Sequence, residues 1–572
     1  MAAPRVTRTL AYLWVGLLAV LVAGPALMPG FALSYDLVFT PRQDLLPGSI
    51  GVGSGLPRAV PQDAIVAIIE TLIPGMIVEK LVLLGIPLIA GLGMLRLLNG
   101  TAAGVVAATV AIANPFVAQR LVIGHWGFLL AYALVPWALV VARRLRAGGD
   151  PWDGLRLLLL VAAGSLTPSG SLLIAAVTVP PVLLPGSRYA VRQRLMLAAG
   201  VVATWLPWLL PALLHPAVAS ADPTGTGVFG LRPDAPGGAL VAALTGGGIW
   251  NAEAVLLSRG TPLTWVFAAF VLALGAWGAG ALMRALGRGV AGWWGLVAVA
   301  GLLAAVASAM VPGAWAALVD VVPGGGLARD AQKLLAPWIL LLAAAAGAGA
   351  GRLLARVRDD ASRAVALVAL AVLPLACQPD LLWGAGGRLQ AVAYPSDWAV
   401  VRAEIAASER PGDIASFPWT AFRRFDWNAG RTVLDPAPRW LPRTTVVSDD
   451  LAIETADGLV VVTGDDPRSR AITGALAAGD SVARELPALG VGWALVAKGT
   501  PGPIPDLPGW ERVYDGPDLA LYAAPASSVI ASHPDTRGVA AVDLAVLGAL
   551  LAGWGAILIR RVRARGARPL VP

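Results

Sequence analysis

The chain has little that could crosslink it or grip a metal. Its one cysteine, Cys377, excludes an internal disulfide and a cysteine-built metal cluster. Three histidines, His125, His215 and His533, stand far apart and form no HExxH-type pair. Lysine occurs only at Lys80, Lys333 and Lys498. Charge of either sign is scarce: 14% of residues are charged, against about 25% in an ordinary soluble domain. Apolar residues fill the space, making up 57% of the 572 positions, in runs of roughly 20 residues. This excludes a soluble globular protein and defines a mostly α, polytopic helical membrane protein. The net charge of +8 does not signal nucleic acid. The arginines fall in short blocks between apolar runs, as cytoplasmic loops do.

Taken in order, Arg5 and Arg8 keep the N-terminus in the cytoplasm, and a first span follows from about Leu10 to Leu33. It is too long to be a plain signal peptide. Residues 34–80 then form an outer loop that carries Asp36, Arg42, Asp44, Arg58, Asp63, Glu70 and Glu79. Within it, Gly48 to Gly55 reads as a flexible stretch, and Pro61-Gln62-Asp63 opens a short surface helix broken at Pro74-Gly75. Spans alternate from there, among them Leu155–Leu166 and Ser171–Leu184, with further outer loops at 215–262 and 312–333. The arginine blocks at 143–146, 188–194, 284–288, 352–358 and 560–565 all fall on the inner side of this count. The expected layout is a transmembrane part over 1–377 and an extracytoplasmic α/β domain over 378–537, where β-like and helical runs alternate. A last span and a basic cytoplasmic tail occupy 538–572. About twelve spans result, with both termini inside.

The unusual charges gather on the outer face. Asp36 follows the first span directly, and an ionisable group at the hydrocarbon edge is a functional candidate. The alternative is that it marks the water boundary. If a helix begins near Leu327, Arg329 and Lys333 share one face and form a phosphate seat, or else an ordinary interfacial charge cluster. Arg58 is a second phosphate candidate. Arg120 and His125 flank a short turn, where His125 either binds a phosphate or sugar hydroxyl or anchors the turn beside Trp126. Glu253 is placed to pair with Arg259. Trp250 offers a stacking platform for sugar or serves as an interfacial tryptophan, with Asn251 beside it. Asp36 and Asp63 supply carboxylates for a general base, and the cations would meet the charge of a departing lipid phosphate.

The layout resembles the GT-C fold membrane glycosyltransferases: an acidic residue just after the first span, a surface helix before the second, about a dozen spans and a C-terminal α/β domain. More narrowly it is similar to actinobacterial YfhO-like and arabinofuranosyltransferase-like integral membrane proteins. The strings that carry this are Arg120 to His125 (RLVIGH), Ala328 to Lys333 (ARDAQK), Leu489 to Val496 (LGVGWALV) and Tyr514 to Tyr522. The first loop departs from the pattern in lacking an adjacent pair of acids. The resemblance implies an inverting transfer from a polyprenyl-phosphate sugar to a cell-envelope glycan or lipid on the outer face. Asp36 would then be the base. Asp63 would orient the acceptor or hold a metal, and Arg58, Arg329, Lys333, Arg120 and His125 would lie on the donor phosphate. Trp250, Asn251 and Glu253 would line the acceptor. No cofactor is called for with certainty, and a divalent cation stays open. Membrane lipids are partners and nucleic acid is not. Two other readings stand beside this one: a transporter or flippase for lipid-linked envelope intermediates, and a non-catalytic assembly protein.

Overall fold

The computed structural model describes residues 5–99, 102–150, 152–215, 223–455, 458–479, 481–525 and 535–566. Residues 216–222 of the expected second outer loop lie outside them. In hydrocarbon every backbone N–H and C=O must be satisfied inside its own segment, so the apolar runs become helices. Among the described residues eight are long and apolar enough to cross a membrane: Arg8–Leu27, Gly75–Leu97, Trp126–Arg146, Val191–Leu214, Leu263–Leu286, Arg288–Met310, Ala331–Leu354 and Arg537–Arg563. Two bent pairs, Ala102–Ile112 with Pro115–Ile123 and Asp360–Ala376 with Pro379–Gly387, bring the number to ten. The first bend has a local cause. Asn114 is extended (φ −149°) ahead of Pro115, and its side chain accepts from Val117 N at 3.0 Å, so a new helix starts there.

Ten is fewer than the twelve expected. The difference lies in two neighbouring elements, the 12-residue helix Trp152–Ala163 and the apolar stretch Pro168–Leu183. A 12-residue helix rises about 18 Å, short of a core about 30 Å thick. Because the two follow one another, omitting both leaves the alternation of all later spans unchanged.

Arginine-rich helix ends gather at one end of the bundle. Arg143 Nη1 donates to Ala285 O at 2.8 Å, Arg146 Nη2 to Pro185 O at 2.9 Å, and Arg560 pairs with Asp150 at 2.8 Å. Trp126–Arg146 has 21 residues, so its other end, at His125, lies about 30 Å away. Small residues let the spans pack closely. A Cβ on Gly278 would meet Ala345 O at 1.9 Å, and one on Gly349 would meet Leu274 O at 2.1 Å, which welds Leu263–Leu286 to Ala336–Leu354.

The C-terminal portion holds a five-stranded mixed sheet in the order Glu511–Asp515, Leu519–Ala523, Val491–Ala497, Asp413–Phe417, Thr445–Val446. The first three strands run antiparallel, and the last two lie parallel to Val491–Ala497 and to each other. Gly458–Val462 pairs with Leu451–Thr455 in a separate hairpin. Two helices, Pro467–Ala478 and Val482–Ala488, precede Val491–Ala497. Glu511–Asp515 is an edge strand with mostly exposed, polar side chains and so lacks an apolar signature.

This portion is stitched to the loop after the first span. Phe31–Ala32 pairs antiparallel with Ala391–Val392. Tyr35 N donates to Thr432 O at 2.8 Å and Leu434 N to Tyr35 O at 2.9 Å. Tyr394 stacks edge-on against Phe31 at 5.3 Å and Trp440 at 4.5 Å, and its hydroxyl reaches Phe39 O at 3.0 Å. Each such ring pair adds about 0.5–1.5 kcal/mol beyond its buried area. The Gly48–Gly55 stretch, expected to be flexible, is tied down as well. Ser54 Oγ donates to Asp466 at 2.7 Å, and Leu56 N to Asp465 at 3.2 Å.

Candidate functional site

Asp36 sits where three separate parts of the chain meet. Its N–H donates to Ile123 O at 2.9 Å, and Ser34 Oγ donates to Val122 O at 2.7 Å. Gly124 makes that approach feasible: its φ is +86°, and a Cβ there would lie 1.9 Å from Leu37 N. Tyr35, just before, takes a positive φ of 48°, held by its bonds to 432–434. The Asp36 carboxylate keeps 39% of its surface accessible, so it faces a recess rather than packed core.

A hydrogen-bonded series runs from it to the 330–333 turn. His125 Nε2 lies 3.1 Å from Asp36 Oδ2, and Arg120 Nη1 lies 2.9 Å from His125 Nδ1. Arginine only donates, so Nδ1 accepts and the proton sits on Nε2, pointed at Asp36. Burial, then the charges of Lys333 and Arg120, lower the His125 pKa and keep the ring neutral. Arg120 is fully buried and grips Asp330 bidentately, with Nη2 to Oδ1 at 2.7 Å. Burial alone would raise the Asp330 carboxyl, but the charges of Arg120 and Lys333 hold it far below the usual carboxylate range. Lys333 Nζ lies 3.6 Å from Asp330 Oδ2 and over the Phe128 ring at 5.8 Å. Burial pushes Asp36 up too. The hydrogen bond from His125 and the nearby charges of Arg439 and Lys333 outweigh it, so its carboxyl titrates below the ordinary value.

No α-helix starts at Leu327. Two 3-10 turns, Gly325–Ala328 and Ala331–Leu335, precede the helix Ala336–Leu354. The break between them is Asp330, whose ψ of 79° is not helical, and Pro337 suits a helix that begins only at Ala336. Arg329 and Lys333 therefore do not form one i,i+4 face. Lys333 turns to Asp330, while Arg329 stacks on Phe229 at 5.0 Å, and Phe229 in turn packs edge-on against Trp250 at 4.8 Å.

The other expected residues are placed as follows. Asp63 is bound by Arg439 Nε at 3.1 Å. Arg58 pairs with Asp465 at 3.0 Å. Glu253 pairs with Arg424 at 2.6 Å and accepts from the Tyr35 hydroxyl. It does not pair with Arg259, which is buried against Asp234 at 2.8 Å. Asn251 caps the turn at Ala252–Ala254 by accepting from Glu253 N. Among the described residues no group of three or more His, Cys, Asp or Glu stands together as a metal site. A divalent cation at Asp63 would meet the Arg439 guanidinium that already holds its Oδ2.

Two participants escaped sequence reasoning. Asp330 was seen only as part of a charged string; its pairing with Arg120 spans 210 positions. Arg439 comes from the C-terminal portion and sits between Asp63 and Asp36, and its Nη1 is buried with no hydrogen-bond partner among the described residues. Glu70 lies in the same corner. Burial, with Asp63 nearby, pushes its carboxyl from 4.5 up to about 7. The folded protein therefore holds that proton more tightly than the unfolded chain does. The contribution is full below pH 4.5 and is lost as pH rises to about 7. Wild-type Tm should fall between pH 5 and 7 and Glu70→Gln should flatten that fall, an effect of up to about 3 kcal/mol. Parallel Tm–pH curves for the two proteins would show that Glu70 does not titrate there.

No protein-family model matches the sequence, and no curated protein matches it. Solved structures do. The arabinofuranosyltransferase AftD from mycobacteria superposes with a TM-score of 0.56 at 16% identity, over 93% of this chain and 40% of that one. A variant of AftD superposes with a TM-score of 0.50 at 18% identity, over 93% and 42%. ArnT from Cupriavidus metallidurans aligns over 92% of this chain and 99% of that one, at 12% identity and a TM-score of 0.44. The chain spans about two fifths of the length of AftD. It has the GT-C fold, as the order of its spans, first loop and C-terminal portion suggested.

Proposed function

We propose that the protein is a membrane glycosyltransferase that moves a sugar from a polyprenyl-phosphate carrier to an envelope glycan or lipid on the outer face, with inversion. The observation that carries this is one recess holding an ionised carboxylate, Asp36, with the cations Lys333 and Arg439 close enough for their charges to act on it. Asp36 accepts the proton of the acceptor hydroxyl, and that oxygen attacks the anomeric carbon as the bond to phosphate oxygen breaks. The phosphate leaves with its electron pair, and Lys333 and the unpartnered Nη1 of Arg439 take up its charge. A single displacement inverts the centre.

His125 and Arg120 act as positioning residues in this scheme, because both ring nitrogens of His125 and both Nη atoms of Arg120 are taken up by Asp36, Asp330 and each other. Arg329, stacked on Phe229 beside Trp250, lies toward the acceptor instead of the donor phosphate, and Asp63 holds Arg439 in place. Trp250, Asn251 and Glu253 border the acceptor, next to Tyr35. Arg58, being on Asp465, holds the loop to the C-terminal portion. The gathering of arginine ends about 30 Å from His125 supports an outer location for the recess.

The test is purified protein offered a panel of polyprenyl-phosphate sugars, with release of carrier phosphate as readout. Release that depends on an acceptor supports the reading. Movement of a lipid-linked sugar across vesicles without release would support a transporter instead. Lys333→Met should raise the donor KM by about tenfold or more, as expected for loss of one charge-assisted contact to phosphate. An unchanged donor KM would remove Lys333 from the seat.

A further inference from the structure

A cavity of about 470 Å³ lies in the C-terminal portion, between the sheet and the hairpin Leu451–Val462. Its volume is that of a small-molecule site. Its wall has two rings, Trp419 and Phe422, and a prearranged polar side. Trp419 Nε1 donates to Thr473 Oγ1 at 2.9 Å, Thr473 Oγ1 donates to Asp450 Oδ2 at 3.4 Å, and Asp450 Oδ1 accepts from Gly464 N at 2.8 Å. The Thr420 hydroxyl, also on the wall, is buried and has no hydrogen-bond partner among the described residues.

The lining carries a carboxylate and neither lysine nor arginine. That disfavours a phosphate or any other anion, and a bare hydrocarbon chain would make no use of the lone pairs that Asp450 keeps beyond its bonds to Gly464 N and Thr473, or of the Ser448 hydroxyl group on the same wall. A sugar ring answers both sides: its C–H face lies on aromatic and aliphatic walls, and its hydroxyls meet a carboxylate and hydroxyls. One residue of the cavity wall also reaches the first loop. Phe422 packs against Tyr35 with ring centroids 6.0 Å apart, and Tyr35 precedes Asp36. The hairpin that closes the far side packs on Phe229 and Trp250.

The geometry points to this cavity as a subsite for a neutral saccharide, holding acceptor units beyond the one that reacts at Asp36. The assignment to the acceptor rests on the transferase reading; the saccharide specificity does not. The test uses the full chain in lipid nanodiscs, so that no sugar-headed detergent competes. Neutral arabino-, manno- and gluco-oligosaccharides are titrated by calorimetry and by saturation-transfer NMR. Ala477 lines the cavity yet is exposed on its helix, so Ala477→Phe fills the space without disturbing the core.

At least one oligosaccharide should bind, and both Ala477→Phe and Asp450→Asn should weaken it tenfold or more, a loss of about 1.4 kcal/mol, with Tm unchanged in the former. Failure of every saccharide to bind, affinity unchanged in both cavity variants, or capture of a long-chain alcohol or inorganic phosphate in their place would each overturn the proposal. If saccharide binding responds to the cavity variants but no polyprenyl-phosphate sugar releases carrier phosphate in the presence of acceptor, only the transferase reading falls.

Discussion

Asp36→Asn should lower kcat about 100- to 10,000-fold, the range a positioned general base contributes, while donor affinity stays within a few-fold of wild type. Asparagine keeps the shape and can still meet His125, so the recess and its cations persist. What it cannot do is take a proton. Because the surrounding charges hold Asp36 below the usual carboxylate range, wild-type turnover should persist as pH falls through that range and drop only beneath it. Donor binding measured on the variant separates the two steps. A variant that binds donor and transfers sugar at the wild-type rate would end the case for base catalysis by this residue.

The largest effect on stability is expected at Arg120. Its guanidinium is wholly buried, and Asp330 depends on it. Arg120→Ala strips that buried carboxylate of its bidentate partner and leaves it only Lys333 at 3.6 Å; breaking a buried pair in this way typically costs about 3–5 kcal/mol. The Tm should drop steeply, and sugar transfer should fail because His125 loses the partner that fixes its tautomer. Arg120→Met combined with Asp330→Leu removes both charges, and it should recover most of the stability without recovering transfer. If Arg120→Ala costs under about 1 kcal/mol, the pair behaves as an exposed one and the account of the site's rigidity is wrong.

Those two residues mark what was readable from the sequence and what was not. The spans were legible because hydrocarbon imposes a length and a composition on each. The misjudged elements, Leu155–Leu166 and Ser171–Leu184, are apolar like the rest and differ only in helix length. Asp36 was legible because a lone acid closing an apolar run is conspicuous. Lys333 stood out for the same reason. Their convergence was not legible, since it passes through Arg120 and Asp330, separated by 210 positions, and through Arg439, which lies in a Pro-Arg-Trp turn with no motif. The helix expected at Leu327 failed on a conformational detail, the non-helical ψ of Asp330, and with it went the shared face of Arg329 and Lys333. Where propensity and pattern act locally, reading the chain works; where two charged groups are paired only by tertiary packing, the string of letters carries no trace of the partner.

The backbone pairing of Phe31–Ala32 with Ala391–Val392, and of Tyr35 with 432–434, bears on biosynthesis. A ribosome finishes the Asp36 segment some 355 codons before the strand that Phe39's neighbour Tyr394 anchors to it. Until residues 391–434 emerge, the nascent polypeptide owns its acid but not the shape that makes it useful. A truncated product that stops after Cys377 would therefore insert its helices yet lack the strands that fix the backbone on either side of Asp36.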